Sequence, residues 1–166
     1  MQNGFCRTAV RLSLILMLAA CAGGISRQAR DQITYVGPYA EVQRDPAKYQ
    51  GETMLLGGKV IETSAMTGAT EMVVLQLEIG TQDRPTDNDQ SQGRFLIRSA
   101  EFLDPAIFPQ GTLITVVGRL QGSETRLIGE MPYTYPVIDV IEIKKWPPNS
   151  DPSPRFHFGI GIGTHF

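Results

Sequence analysis

Cys21 is the residue whose neighbours prescribe a reaction. It follows Leu18-Ala19-Ala20, and before these lie an apolar run from Leu12 to Leu18 and the basic residues Arg7 and Arg11. Charge, apolar run and small residues in that order form the layout of a secretory signal peptide. The run is too short to span a bilayer, which takes about 20 apolar residues. Small side chains at Ala19 and Ala20 admit a peptidase, and the thiol of Cys21 is the one nucleophile suited to thioether formation. Other reactive constellations are incomplete. Asp87, Asp89 and Ser91 carry the first spacings of a calcium loop, but Gln92 replaces its glycine and Arg98 its closing glutamate. His157 and His165 share strand parity, yet two histidines do not make a metal site. Gly159-x-Gly161-x-Gly163 has no helix after it to cradle a phosphate. There is no Gly-x-Ser-x-Gly elbow, His-Glu-x-x-His pair, Walker loop or cysteine cluster. Glu101, Asp104, Glu130 and Asp139 show no pairing in the sequence, so caps and surface charges are their default roles. No catalytic residue, cofactor or metal is expected.

The segment ending at Cys21 resembles the lipobox of bacterial lipoproteins. That resemblance implies cleavage before Cys21 and lipid on its sulfur and amine, with residues 1–20 lost. Several acyl chains would make attachment effectively permanent, where one gives only marginal anchoring. Such lipoproteins retained at the inner membrane often carry Asp after the cysteine; Ala22 stands here, pointing to the outer membrane. The full chain has 15 basic and 17 acidic residues. Loss of Arg7 and Arg11 leaves 13 against 17, a net charge of −4 that does not favour nucleic acid. Cys6 leaves with the signal and Cys21 would be capped, so no disulfide is expected and packing alone must stabilise one domain.

The small polar residues of 21–38 read as a flexible tether. One helical turn is expected between Pro38 and Asp45, stopped by Asp45-Pro46. Strand signals follow at Thr53 to Thr63, with Gly57-Gly58 suggesting a bulge or a sharp coil in a long bent strand, at Glu71 to Ile79 after the Thr67-Gly68 turn, and at Arg94 to Arg98 after a polar loop. Asp104-Pro105 opens a short helical connector. Thr112 to Leu120 reads as the fourth strand, Gln121 to Thr125 as a turn, and Arg126 to Gly129 as a brief pairing; Pro132 to Pro136 reads as an interruption and Val137 to Lys144 as the last strand. This order predicts, for 39–148, a mainly β domain: a small OB-like Greek-key barrel of five or six strands with one short helical connector, a partly open sandwich being the alternative. In the tail, 149–166, Phe156, Phe158, Ile160, Ile162 and Phe166 alternate with Arg155, His157, glycines and His165.

Gly93-Arg94-Phe95-Leu96-Ile97, Phe102-Leu103-Asp104-Pro105, Thr115-Val116-Val117-Gly118 and Gly129-Glu130-Met131-Pro132-Tyr133-Thr134-Tyr135-Pro136 together resemble the Slp family of starvation-inducible outer-membrane lipoproteins. Tyr49-Gln50-Gly51, Gly57-Gly58-Lys59-Val60-Ile61 and Trp146 extend the likeness. The resemblance implies a noncatalytic, lipid-anchored protein of the outer membrane, associated with starvation or envelope stress and facing the periplasm. It carries over a role for Cys21 alone. Tyr133, Tyr135 and Trp146 are amphipathic rings that form a candidate surface for an envelope protein, glycan or lipid; core and rim packing is their plainer reading. The alternatives are a subunit of an oligomeric outer-membrane assembly built through the C-terminal strand, and an enzyme with an unrecognised carboxylate site.

Overall fold

A computed structural model describes residues 24–88 and 90–148. The strands are β1 (Thr53–Met66), β2 (Ala69–Leu77), β3 (Arg94–Ser99), β4 (Leu113–Ile128) and β5 (Met131–Lys145). They close as β1-β2-β3-β5-β4, with β4 paired back to β1. All pairings are antiparallel except β3 with β5, which runs parallel through Leu96, Ile97 and Arg98 against Val137, Ile138 and Asp139. This is the expected OB-type order. Period-2 alternation sends Met72 and Val74, Phe95 and Ile97, and Ile114 and Val116 into one core. Helix α2 (Tyr39–Arg44) adds Tyr39 and Val42 to that core, and the 3-10 turn Pro46–Tyr49 adds Tyr49. Gly58 and Gly118 let the strands coil tightly: a Cβ on either would lie 2.6 Å from a neighbouring carbonyl oxygen, of Leu75 or Asp139.

Five details differ from the sequence expectation. The bulge in β1 is not at Gly57-Gly58 but at Ile61, where the register with β2 passes from Val60↔Val74 to Glu62↔Val73. The glycines serve the sharp coil, the other reading of the pair, by letting the strands approach closely. Next, 121–125 is not a turn, because β4 runs on to Ile128 past a register shift between Leu120 and Gly122. Nor does Pro132 to Pro136 interrupt: both prolines lie inside β5, opposite Leu127 and Ser123. Proline is tolerated in a strand where its missing N–H would face away from the neighbour. The Asp104 connector closes only one turn, in which Ile107 and Phe108 N–H donate to the Asp104 carbonyl and Ala106 N–H to its Oδ1.

The fifth difference is the tether. From Gly24 onward it is docked on the barrel rather than loose. Ser26 caps helix α1 (Arg27–Arg30) by accepting from Ala29 N–H. Ile25 and Ala29 are buried against Val117, with Ile33, Leu55 and Ile141 around them. Thr34 and Tyr35 N–H both donate to the Thr53 carbonyl. Ile25, Ala29 and Ile33 recur every four residues, an apolar stripe hidden among small polar neighbours. The signal segment, Cys21 and the tail lie outside the described residues.

Candidate functional site

Beyond the barrel wall, β4 and β5 continue as a two-stranded arm, 122–137, joined by the Gly129-Glu130 turn. Gly129 sits at φ 60°, which a glycine adopts without strain. Directly paired residues share a face, so Glu124 with Tyr135 and Arg126 with Tyr133 line one side of the arm. That side folds over the outer surface of β2 and β3. Tyr135 and Val137 are buried against Leu96, with Val73, Ile128 and Tyr133 packed around them. Tyr133 Oη accepts from Arg94 N–H at 2.7 Å, and Gln43 Nε2 donates to the Thr134 carbonyl at 2.8 Å. Tyr39 Oη donates to the Arg94 carbonyl, which ties α2 to the same strand. In OB barrels the β2–β3 surface and its flanking loops carry the ligand. Here the protein's own arm occupies it.

Four charges lock the arm down. Glu71 on β2 lies opposite Arg98 on β3, whose Nη2 is 3.0 Å from Glu71 Oε2. Arg126 reaches across from the arm in a fork, with Nη1 2.6 Å from Glu71 Oε1 and Nη2 2.8 Å from Oε2. Glu124 closes the ring through Arg126 and Arg98. The Glu71 side chain is 6% exposed, so its charge is supported almost wholly by the two arginines. Hydrogen bonds from Arg126, more than those from Arg98, hold the Glu71 carboxyl below the usual range against the opposing effect of burial. Arg126 and then Arg98 lower Glu124 likewise. Carboxylates held ionised in this way are poor proton donors near neutral pH. The ring is a clamp.

The sequence-predicted aromatics do not form one surface. Tyr133 and Tyr135 stack edge to face at 4.7 Å under the arm, while Trp146 packs elsewhere with Leu77 and Leu113. Its Nε1–H donates to Thr115 Oγ1, and Lys144 Nζ stands 4.4 Å above the ring. Tyr135 and Trp146 are buried, which corrects their reading as a partner surface. Packing against apolar neighbours is what places them there. Asp87 is paired with Lys59, and no group of three metal-ligating side chains converges among the described residues. Open concave space lies instead at the end of the barrel next to α2. One groove of about 450 Å³ runs between Pro38, Gly57, Leu77 and Gln92, and an adjoining apolar hollow of about 300 Å³ is lined by Ile33, Tyr35, Val36 and Leu55. Val36 at its mouth is 93% exposed. The clamp and the hollow were both missed in the sequence; the alternation Glu124-x-Arg126 was the available signal for the clamp.

A closed OB-type barrel with a self-covered ligand face and a docked amino-terminal segment defines a compact β module. The chain belongs to the outer membrane lipoprotein Slp family, whose pattern it matches over residues 18–160. It is 31% identical over 131 residues to the uncharacterized lipoprotein YeaY of Escherichia coli, covering 79% of this chain and 67% of that one. It is 28% identical over 139 residues to the outer membrane protein Slp of the same organism, covering 83% and 73%. A small single-stranded DNA-binding protein from Streptomyces coelicolor superposes with a TM-score of 0.38 at 15% identity, over 57% of this chain and 94% of that one, too loosely to bear on function.

Proposed function

We propose that this protein is a noncatalytic module held at the periplasmic face of the outer membrane by lipid on Cys21, and that it binds an envelope protein through the apolar hollow beside α2. Starvation or envelope stress is the setting that family membership suggests. The observation that carries the partner surface is the exposed Val36 beside Ile33, Tyr35 and Leu55: the conventional OB face is already filled, while this apolar concavity is open and carries an almost fully exposed aliphatic side chain. A residue such as Val36 at the mouth of an apolar hollow is a natural anchor point for a partner. Lipidation is supported by the run Leu18-Ala19-Ala20-Cys21 and by family membership.

Two measurements test the proposal. Mass spectrometry of the mature amino terminus should find acylated Cys21, and Cys21→Ser should accumulate as uncleaved precursor; an unmodified terminus at another residue ends the anchor reading. A photoreactive residue at position 36, activated in intact envelopes, should give a discrete protein adduct. The same group at Thr67, exposed on the β1–β2 turn, should not. Equal labelling at both positions would remove the hollow from the function.

A further inference from the structure

The two edges of the β4–β5 arm are unequal. In a two-residue hairpin the residues flanking the turn exchange both hydrogen bonds, and bonded and non-bonded pairs then alternate. Ile128 and Met131 are therefore a bonded pair, as are Arg126 with Tyr133 and Glu124 with Tyr135. This phase turns the backbone groups of Pro132, Thr134 and Pro136 outward on β5, and those of Ser123, Thr125 and Leu127 outward on β4. Two features fix the phase independently: the prolines fall where no N–H is required, and the outward Thr134 carbonyl accepts from Gln43. The β5 edge is thus closed. The β4 edge is open, because β1 pairs with β4 only as far as Arg119, and Ser123, Thr125 and Leu127 are exposed. An open row of backbone donors and acceptors is a template for another strand.

We propose that this edge pairs with the same edge of a second copy, antiparallel, about a two-fold axis through Thr125. In that register Thr125 faces its own copy and Ser123 faces Leu127, so every outward residue finds a bonded partner. Glu124 then stands opposite Arg126 of the other copy on both sides of the axis. The neighbouring registers that keep the bonding phase put Glu124 opposite Glu124, or Arg126 opposite Arg126. Like charges directly opposite are destabilising, so the charge pattern selects one alignment. The Glu124 and Arg126 side chains are 37% and 35% exposed within the clamp, which leaves each able to take a further partner. A self-complementary patch is what a two-fold dimer requires.

Single cysteines placed in the lipidated full chain test this in envelope membranes with a short bifunctional maleimide. Thr125→Cys should give a homodimer in roughly tenfold or greater excess over Glu130→Cys at the arm's tip, since pairing raises the effective concentration only near the axis. Adding Leu127→Pro to Thr125→Cys removes an outward N–H and should abolish the dimer. Equal yields at 125 and 130, adducts of Thr125→Cys with other envelope proteins alone, or a dimer that survives Leu127→Pro would each overturn the proposal. Cross-linking of the protein with no added cysteine would instead report a free Cys21 thiol, which is a failure of lipidation and is distinguishable from a failure of pairing.

Discussion

Glu71 shows how one carboxylate can hold an element in place. It accepts from Arg98, its neighbour across the sheet, and from Arg126, which belongs to an arm that leaves the barrel and returns over it. Removing Arg126 leaves Glu71 with one guanidinium and the arm with the Glu124–Arg98 pair, Tyr133, Gln43 and apolar contact to hold it. Charge-assisted hydrogen bonds to a buried group contribute more than exposed ion pairs. Arg126→Ala should therefore cost about 1–2 kcal/mol in a denaturant melt, with half of that or less from Glu124→Ala, whose side chain is 37% exposed. The acid limb of the stability profile should change with it. Glu71 and Glu124 have folded values depressed below their ordinary carboxylate range, so the stability they lend is present above that range. It is lost as pH falls through the depressed values. The native chain should hold a level stability between about pH 6 and 8 and lose it below the ordinary carboxylate range, and Arg126→Ala should flatten that loss. An unchanged acid limb in the variant would show that the ring does not hold the arm.

Five strands were legible as elements because each carries a β-branched or aromatic run with period 2, and the glycines in β1 and β4 marked where those strands bend. Their ends were not legible. Pro132 and Pro136 read as breaks because proline removes an N–H, and only the pairing phase of the arm makes that N–H dispensable. Gly57-Gly58 read as a bulge or a sharp coil because paired glycines permit either; it is the coil they serve, and the constraint is steric: Gly58 lies against Leu75 and Val74, and Gly118 against Asp139 and Ile138. The clamp was illegible for a different reason, since Glu71, Arg98 and Arg126 come from three strands and meet only after the arm folds over. The steric reading of the glycines predicts that Gly118→Ala will be destabilising by about 1–3 kcal/mol, because backbone of β5 would have to move. Gly68→Ala, at a turn with open space around the α-carbon but φ 76°, should cost less, about 1 kcal/mol from the backbone conformation alone. Melting both variants distinguishes the two causes. A loss at Gly118 no larger than that at Gly68 would mean that β5 gives way easily and that strand approach is not what requires a glycine at 118.

At the scale of the molecule, the docked segment changes what the anchor can do. With Gly24 already beside Asp83 and Arg30, only Ala22 and Gly23 separate Cys21 from the fold. Three residue steps span at most about 10 Å, so a lipidated Cys21 would keep the barrel close against the membrane. The same segment is part of the fold's stability. Ile25 and Ala29 cover Val117, Asp83 Oδ2 accepts from Ile25 N–H and pairs with Arg30, and Ser26 bonds Glu142 on β5. A domain begun at Tyr39 would expose Val117 and Leu55 and leave Asp83, whose side chain is 10% exposed, without its cation. Burial of Ile25, Ala29 and Ile33 stabilises by roughly 3–5 kcal/mol. For a domain of this size that corresponds to a fall of roughly 10–20 °C in Tm on removing 24–38. A soluble chain of 24–148 should melt cooperatively with β-type circular dichroism, and 39–148 should melt at the lower temperature or fail to fold. If the two melt together, the segment only rests on the barrel and could act as a tether after all, and the short reach assigned to the anchor would go with it.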